Sequence, residues 1–148
     1  IDGKVLIQTF SPDNYVLKYI LNHDFEGLYN EEIKLRENFS YLPYSNIIRV
    51  LVSSVNEQNA ANSSMQIKDA IIFYLKKKSV HNVNIMGPFP CLVSKIENKY
   101  RWQILIKDSE VEIHLIKSII NYILTEKRSV VLLDNVNASV DINPINMV

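Results

Sequence analysis

Glycine, proline and cysteine are all scarce in this chain. Three glycines and five prolines in 148 residues are too few for a collagen-like or low-complexity organisation. Gly3, Gly27 and Gly87 are also too scattered to build a phosphate-cradling loop, and no glycine-rich run ends in Lys-Ser or Lys-Thr. The single cysteine, Cys91, excludes an internal disulfide, and no Cys/His spacing resembles a structural zinc site. No apolar run approaches the roughly 18 residues of a membrane span, and no signal-peptide pattern opens the chain. Net charge is lacking as well, at zero. What remains is the expectation of a cytosolic globular protein.

The apolar fraction of 47% and charged fraction of 22% argue against disorder. A chain of this length buries roughly 70% of the surface it exposes when unfolded, enough for a core without staples. It is one domain, or one domain carrying part of another. The zero net charge hides an arrangement. Residues 66–107 hold eight basic side chains against Asp69 and Glu97, a balance of +6, while residues 13–37 and 108–148 each stand at −3. A basic middle flanked by acidic ends points to an anionic partner.

Ile1-Asp2-Gly3 runs straight into a strand pattern, Lys4 to Phe10, with no initiator Met. We therefore expect a piece of a longer protein. Ser11-Pro12 reads as N-cap and first position of a helix, with Tyr15, Val16, Tyr19 and Ile20 as its apolar stripe. Asp24 caps a second helix carrying Phe25, Leu28, Tyr29 and Ile33. It ends before Pro43, because the residue before a proline is pushed out of the helical region.

A second, self-contained pattern starts at Tyr44. Ser45 to Val55 is apolar on both parities, which predicts a central strand covered on both faces. Polar residues 56–64 lead into a helix with Met65, Ile71, Ile72 and Leu75 inside, closing at Lys76-Lys77-Lys78. Val83 to Met86 is a short strand stopped by Gly87-Pro88-Phe89-Pro90. A hairpin follows, with strands near Cys91–Ile96 and Tyr100–Lys107. Ser109-Glu110-Val111-Glu112 is a capping box. It opens a helix whose Ile113, Ile116, Ile120 and Ile123 face a core. Val130–Leu133 and Ala138–Ile142 are the last strands. This β-α-β-β-α-β order with an extra segment predicts an α+β fold: a mostly antiparallel split β-α-β sheet with two helices packed on it.

The hairpin is the most informative segment. Along Tyr100–Lys107 the even positions are Tyr100, Trp102, Ile104 and Ile106; the odd ones are Arg101, Gln103, Leu105 and Lys107. Alternation across a sheet makes one face apolar and the other basic and polar. A three-residue loop, Glu97-Asn98-Lys99, pairs Ile96 with Tyr100 and sets Lys95 opposite Arg101. Like charges facing each other in a sheet are destabilising, so this pair calls for an anion, and a phosphate backbone serves. Two long side chains splaying into water is the alternative. Tyr100 and Trp102 are candidates for base stacking, but their parity with Ile104 and Ile106 favours the core. Lys76–Lys78 sit in a helix's last turn, where the dipole favours cations, and are also candidate phosphate contacts.

No catalytic constellation accompanies these features. Cys91 lacks a patterned His partner and lies in a strand pattern, so it reads as buried and inert. His23, Asp24 and Glu26 fit a turn between helices better than a metal site, and His81 and His114 stand alone.

Five stretches resemble one family in order. Gly3 to Pro12 is similar to the segment just after the last helicase motif in the primosomal protein N′ family, also called PriA or replication factor Y. Tyr29 to Arg36 and Tyr41-Leu42-Pro43-Tyr44 resemble its Glu/Leu/Arg helix and Tyr-Pro-Pro turn, with Leu42 a departure and one proline in place of two. Gly87-Pro88-Phe89-Pro90 matches its Gly-Pro-x-Pro turn. Tyr100 to Lys107 and Val140-Asp141-Ile142-Asn143-Pro144 match its hairpin block and its ending.

The resemblance implies a C-terminal piece of a bacterial replication-restart helicase, one that recognises stalled, branched DNA and reloads the replicative helicase. It implies that residues 1–43 end the second helicase lobe and residues 44–148 form the C-terminal domain. ATP with magnesium and a structural zinc are expected in the parent protein and none in this fragment, which is expected to be monomeric and without catalysis of its own. Expected partners are branched and single-stranded DNA, single-stranded-DNA-binding protein through its acidic tail, and other primosome and helicase-loading proteins. The expected phosphate contacts are Lys95, Lys99, Arg101 and Lys107, assisted by Lys76–Lys78. Two glutamates open the helix from Ser109, a poor surface for an acidic tail, which leaves only Lys117 there. A peptide-binding module and a structural support for the helicase lobe remain the alternatives.

Overall fold

A computed structural model describes residues 3–81, 83–108 and 113–145. Contacts divide the chain into two compact units, Ile1–Phe39 and Ser40–Val148.

The first unit is a helical pair, α1 (Tyr15–Leu21) and α2 (Phe25–Asn38). The strand expected over Lys4–Phe10 does not form, because a strand needs a ladder partner for its backbone groups and none lies alongside among the described residues. Asn14, rather than Ser11, caps α1: its side chain accepts from the Val16 N–H at 3.0 Å. Asp24 caps α2 as expected, accepting from Gly27 N–H at 2.8 Å. A Cβ at Gly27 would crowd the Asp24 carboxylate and lie 2.6 Å from the Tyr19 ring, so a larger residue here requires those side chains to shift. Tyr15 and Tyr19 donate their hydroxyls to Glu32 and Glu31, clamping α1 to α2. Neither helix has a fully buried residue. The pair is held by these polar contacts more than by a core of its own.

The second unit carries the α+β fold. Its elements are β1 (Asn46–Ser54), α3 (Glu57–Lys77), β2 (Asn84–Ile96), β3 (Lys99–Asp108), α4 (Ile113–Thr125), α5 (Arg128–Val131) and β4 (Val136–Ile142). The four strands form one sheet in the order β2-β3-β1-β4, every neighbouring pair antiparallel. This is the predicted split β-α-β arrangement, with α3 and α4 as crossovers.

Even-numbered residues of β1 and β3 face the helices. Ile48, Val50, Val52, Ile104 and Ile106 form one core with Ile67, Ile71 and Leu75 of α3 and Ile113, Ile116, Ile120 and Ile123 of α4. The four α4 isoleucines are therefore buried as their spacing predicts; residues 109–112, read as their capping box, lie outside the described residues. β1 is central but covered by helices on its even face only, since Ile47 and Leu51 stay half-buried on the other.

Four local expectations change. The polar lead-in of residues 56–64 is the first two turns of α3, capped by Asn56 accepting from Asn59 N–H at 3.1 Å. Ala60, Ser63, Ser64 and Ile67 are buried at helical spacing, and small polar residues there let the helix approach closely: Ser64 Oγ donates to the Ala60 carbonyl at 2.7 Å, and Ser63 Oγ accepts from Leu133 N–H at 3.1 Å. Met65, expected inside, is exposed. Gly87 to Pro90 does not stop a strand but runs within β2 as an irregularity. Gly87 adopts φ +91°, where a Cβ would meet the Gln103 carbonyl at 2.8 Å, and its own carbonyl accepts from Lys68 Nζ. Finally, residues 128–131 are the short helix α5, not a strand. The sheet edge beside β1 is already filled by β4, and Val131 and Leu132 bury into the core from the helical side.

Candidate nucleic-acid interface

The turn between β2 and β3 has two residues, not three. Glu97 and Asn98 both have positive φ, 49° and 60°, the geometry whose twist suits a tight hairpin. Ile96 therefore pairs with Lys99, and Lys95 stands opposite Tyr100. The predicted Lys95–Arg101 repulsion does not exist. Lys95 Nζ lies 4.5 Å from the Tyr100 ring centre instead, with the Tyr100 hydroxyl 3.4 Å away. An aromatic face partly satisfies the cation without an anion.

Between Pro90, opposite Trp102, and Lys95, opposite Tyr100, the four residues Cys91–Ser94 face Arg101 alone. This bulge turns Cys91 inward and leaves Leu92 and Ser94 exposed. Burial pushes the Cys91 thiol above its ordinary value, against the opposing pull of Arg101 and Arg49. The inert reading of Cys91 fits this environment.

Odd-numbered residues of β3 form the face turned away from the helices. Arg101, Gln103, Leu105 and Lys107 share it, as their parity predicts. Lys99 has the same parity at the start of β3, whereas the two-residue turn gives Lys95 the parity of Tyr100. Lys107 Nζ sits 4.0 Å from the Tyr41 ring centre. Opposite Leu105 lies Arg49, almost fully buried, with its guanidinium 3.2 Å from Asp141 of β4. Arg49 was not among the sequence candidates. Its signal was a lone charged residue at an odd position of a strand otherwise read as apolar on both faces. Gln103 is buried beside it, and no protein hydrogen bond reaches its Oε1.

Tyr100 and Trp102 fall on the helix side and are half-buried there. They border an open depression with Asn56, Glu57, Gln58 and Ala61 of the α3 start. Their neighbours Ile104 and Ile106 are wholly buried, so the aromatic pair closes the end of the core layer. Lys76–Lys78 are exposed at the end of α3, on the helical layer and thus on the opposite side from Arg101 and Lys107. Lys77 and Lys78 rim a groove between α3 and α4 lined by Tyr74, Leu115, Ser118, Ile119 and Tyr122. Tyr74 packs edge-on against Tyr122 with ring centres 5.3 Å apart. Lys117 is half-buried on α4. The cations expected to act together thus divide between two surfaces.

Among the described residues no three His, Cys, Asp or Glu side chains gather as a metal site. No described helix is long and apolar enough to cross a membrane.

Fold and site together define a small α+β domain, helices on one face of a four-stranded sheet and, on the other, Lys99, Arg101 and Lys107 among half-buried Ile47, Leu51 and Leu105 and buried Arg49 and Gln103. Residues 37–145 match the family described as "Primosomal protein N C-terminal domain", and the chain belongs to that family. It is 26% identical over 147 residues to "Replication restart protein PriA" of Borreliella burgdorferi, covering 99% of this chain and 21% of that protein. The protein of the same name in Thermotoga maritima is 32% identical over 110 residues, 74% of this chain and 14% of its own length. That of Bacillus subtilis is 30% identical over 145 residues, 98% of this chain and 17% of its own. The chain spans about a fifth or less of the length of these relatives. The family resemblance carried by the hairpin and turn motifs is borne out.

Proposed function

We propose that this chain is the C-terminal part of a replication-restart helicase and contributes DNA binding and assembly contacts, with no catalysis of its own. The observation that carries the reading is the shared placement of Lys99, Arg101 and Lys107 on the helix-free side of β3, with Lys95 at the hairpin end. Lys99 and Arg101 stand about 7 Å apart and Lys107 about 20 Å further along the strand, so a phosphate backbone running beside β3 meets them in turn. Phosphate contacts hold position without reading sequence, which suits a protein that recognises the shape of a fork. ATP, magnesium and zinc belong to other parts of the parent protein in this reading. Residues 1–43 complete its second helicase lobe, a role supported by the open apolar side chains Val5, Leu6, Phe10 and Phe25. The test is Arg101→Glu with Lys107→Glu, scored by binding to a labelled forked DNA. Loss of binding with an unchanged circular-dichroism spectrum is expected; unchanged affinity removes the β3 face from the interface.

A second reading rests on the α3–α4 groove. Its apolar floor and its rim of Lys77 and Lys78 suit an acidic peptide ending in an aromatic residue, such as the tail of a single-stranded-DNA-binding protein. Binding of such a peptide, lost on Lys77→Glu with Lys78→Glu, would favour this role beside the first.

A further inference from the structure

The two edges of the sheet differ. On one side β2 is guarded: Gly87, Pro88 and Pro90 lie within it, its register shifts twice, and Lys95 stands near its end. Such devices keep an edge strand from pairing with another chain. On the other side β4 has none of them. Val136 to Ile142 contains no proline, glycine or lysine, and its residues pair with β1 in one unbroken register. Among the described residues no strand lies along its outer edge. The Asn143 N–H donates to the Ile47 carbonyl at 2.7 Å, which fixes the parity. Backbone groups of the odd residues of β4 point to β1, and those of Val136, Ala138, Val140 and Ile142 point outward. These four are apolar and stand opposite the core-facing residues of β1, yet Val140 is 37% and Ile142 44% exposed.

We propose that β4 pairs antiparallel with β4 of a second copy of this chain, about a twofold axis at Ser139. That register sets Val136 opposite Ile142 of the second copy, and Ala138 opposite Val140. Every outward residue then exchanges its backbone hydrogen bonds with an outward counterpart, and apolar side chains meet across the seam on the helix side. On the helix-free side Asn137 meets Asp141, so no like charges face each other. A shift of one residue would set outward groups against inward ones, and a shift of two leaves one end of the strand without a counterpart in β4. The strand is therefore complementary to itself, which is what selects a second copy as its occupant. The axis runs perpendicular to the sheet, so both helix layers lie on the same side of one continuous sheet. A ladder of seven residues is a small interface, below the ~1,000 Å² of a permanent one. Association is accordingly weak and concentration-dependent, with a Kd of about 10–100 μM. The inference is independent of the DNA-binding reading.

The experiment is sedimentation velocity on the 148-residue chain from roughly 5 to 500 μM, a span that brackets the expected Kd. A monomer–dimer equilibrium is expected. Val140→Pro removes an outward N–H while leaving the bonds to β1 in place, and should weaken the dimer at least about tenfold. Asn137 supplies a test of register. It is exposed and faces Ser53 within its own sheet, so its substitution leaves the fold intact. Asn137→Lys, set opposite Asp141 of the second copy, should tighten the dimer about fivefold, and Asn137→Asp should weaken it by about as much. This opposed pair carries the test alone should Val140→Pro fold poorly. The inference is overturned if the chain stays monomeric throughout, if folded Val140→Pro dimerises as the parent does, or if the two Asn137 variants fail to move the Kd in opposite directions.

Discussion

Arg49 on β1 and Asp141 on β4 stand directly opposite each other and close an ion pair at 3.2 Å, the arginine side chain 6% exposed and the carboxylate 49%. The pair ties the edge strand to the centre of the sheet on the side without helices. A buried guanidinium that loses its carboxylate keeps its desolvation penalty and forfeits the compensation. Solvent at the Asp141 end moderates this. Asp141→Asn is expected to lower unfolding stability by about 1–2 kcal/mol, seen as an earlier urea midpoint at unchanged slope. An unmoved midpoint would place the pair with ordinary surface bridges.

The hairpin register is open to a sign test. With Lys95 over Tyr100, Lys95→Glu removes an exposed cation–π contact worth about 0.5–1 kcal/mol. The variant should therefore be neutral to slightly less stable. Opposite Arg101, the same change would have turned a repulsion into an attraction and stabilised the domain. A rise in melting temperature would contradict the two-residue turn.

Gly87 is the position least able to accept a side chain. Its φ of +91° strains any other residue, and a Cβ there meets a backbone carbonyl at 2.8 Å. Gly87→Ala should lower stability by about 2 kcal/mol or more. An amide-exchange map would show the loss centred on the β2–β3 pairing.

The α1–α2 pair has its own pH dependence. The hydrogen bond to Glu32 raises the Tyr15 hydroxyl above its ordinary value, and the bond to Glu31 does the same for Tyr19. The bonds from Tyr15 and Arg36 hold the Glu32 carboxyl below its ordinary value. A raised tyrosine stabilises below its unfolded value and loses that contribution as pH rises through the folded one; a lowered carboxyl stabilises above its unfolded value and loses it as pH falls. Helicity of this unit should be greatest between the carboxylate and phenol ranges and fall on both sides. Tyr15→Phe with Tyr19→Phe should abolish the alkaline limb in a circular-dichroism titration.

Much of the fold was legible because it rests on periodicity. The isoleucines of α4 recur at one helical face, and the alternation along β3 separates Ile104 and Ile106 from Arg101 and Lys107. The errors arose where polar or special residues override that pattern. Ser63 and Ser64 enter the core as small, hydrogen-bonded residues, and apolar counting therefore misses the first turns of α3. Val130–Leu133 has strand composition, but the strand places beside β1 are already taken. The site was legible in parity and not in register: a single residue fewer in the turn moved Lys95 from Arg101 to Tyr100. Arg49 escaped notice because its importance comes from pairing with Asp141, 92 positions away in the chain.

The central claim is that this domain holds DNA through the cations of the hairpin and the helix-free sheet face. Fluorescence anisotropy of a labelled forked DNA, titrated with the chain at 50 and 200 mM salt, tests it most directly. Four phosphate contacts, from Lys95, Lys99, Arg101 and Lys107, predict that affinity for single-stranded arms falls roughly 50-fold between the two salts. Flat anisotropy at both salts, or an affinity that salt leaves unchanged, would contradict it.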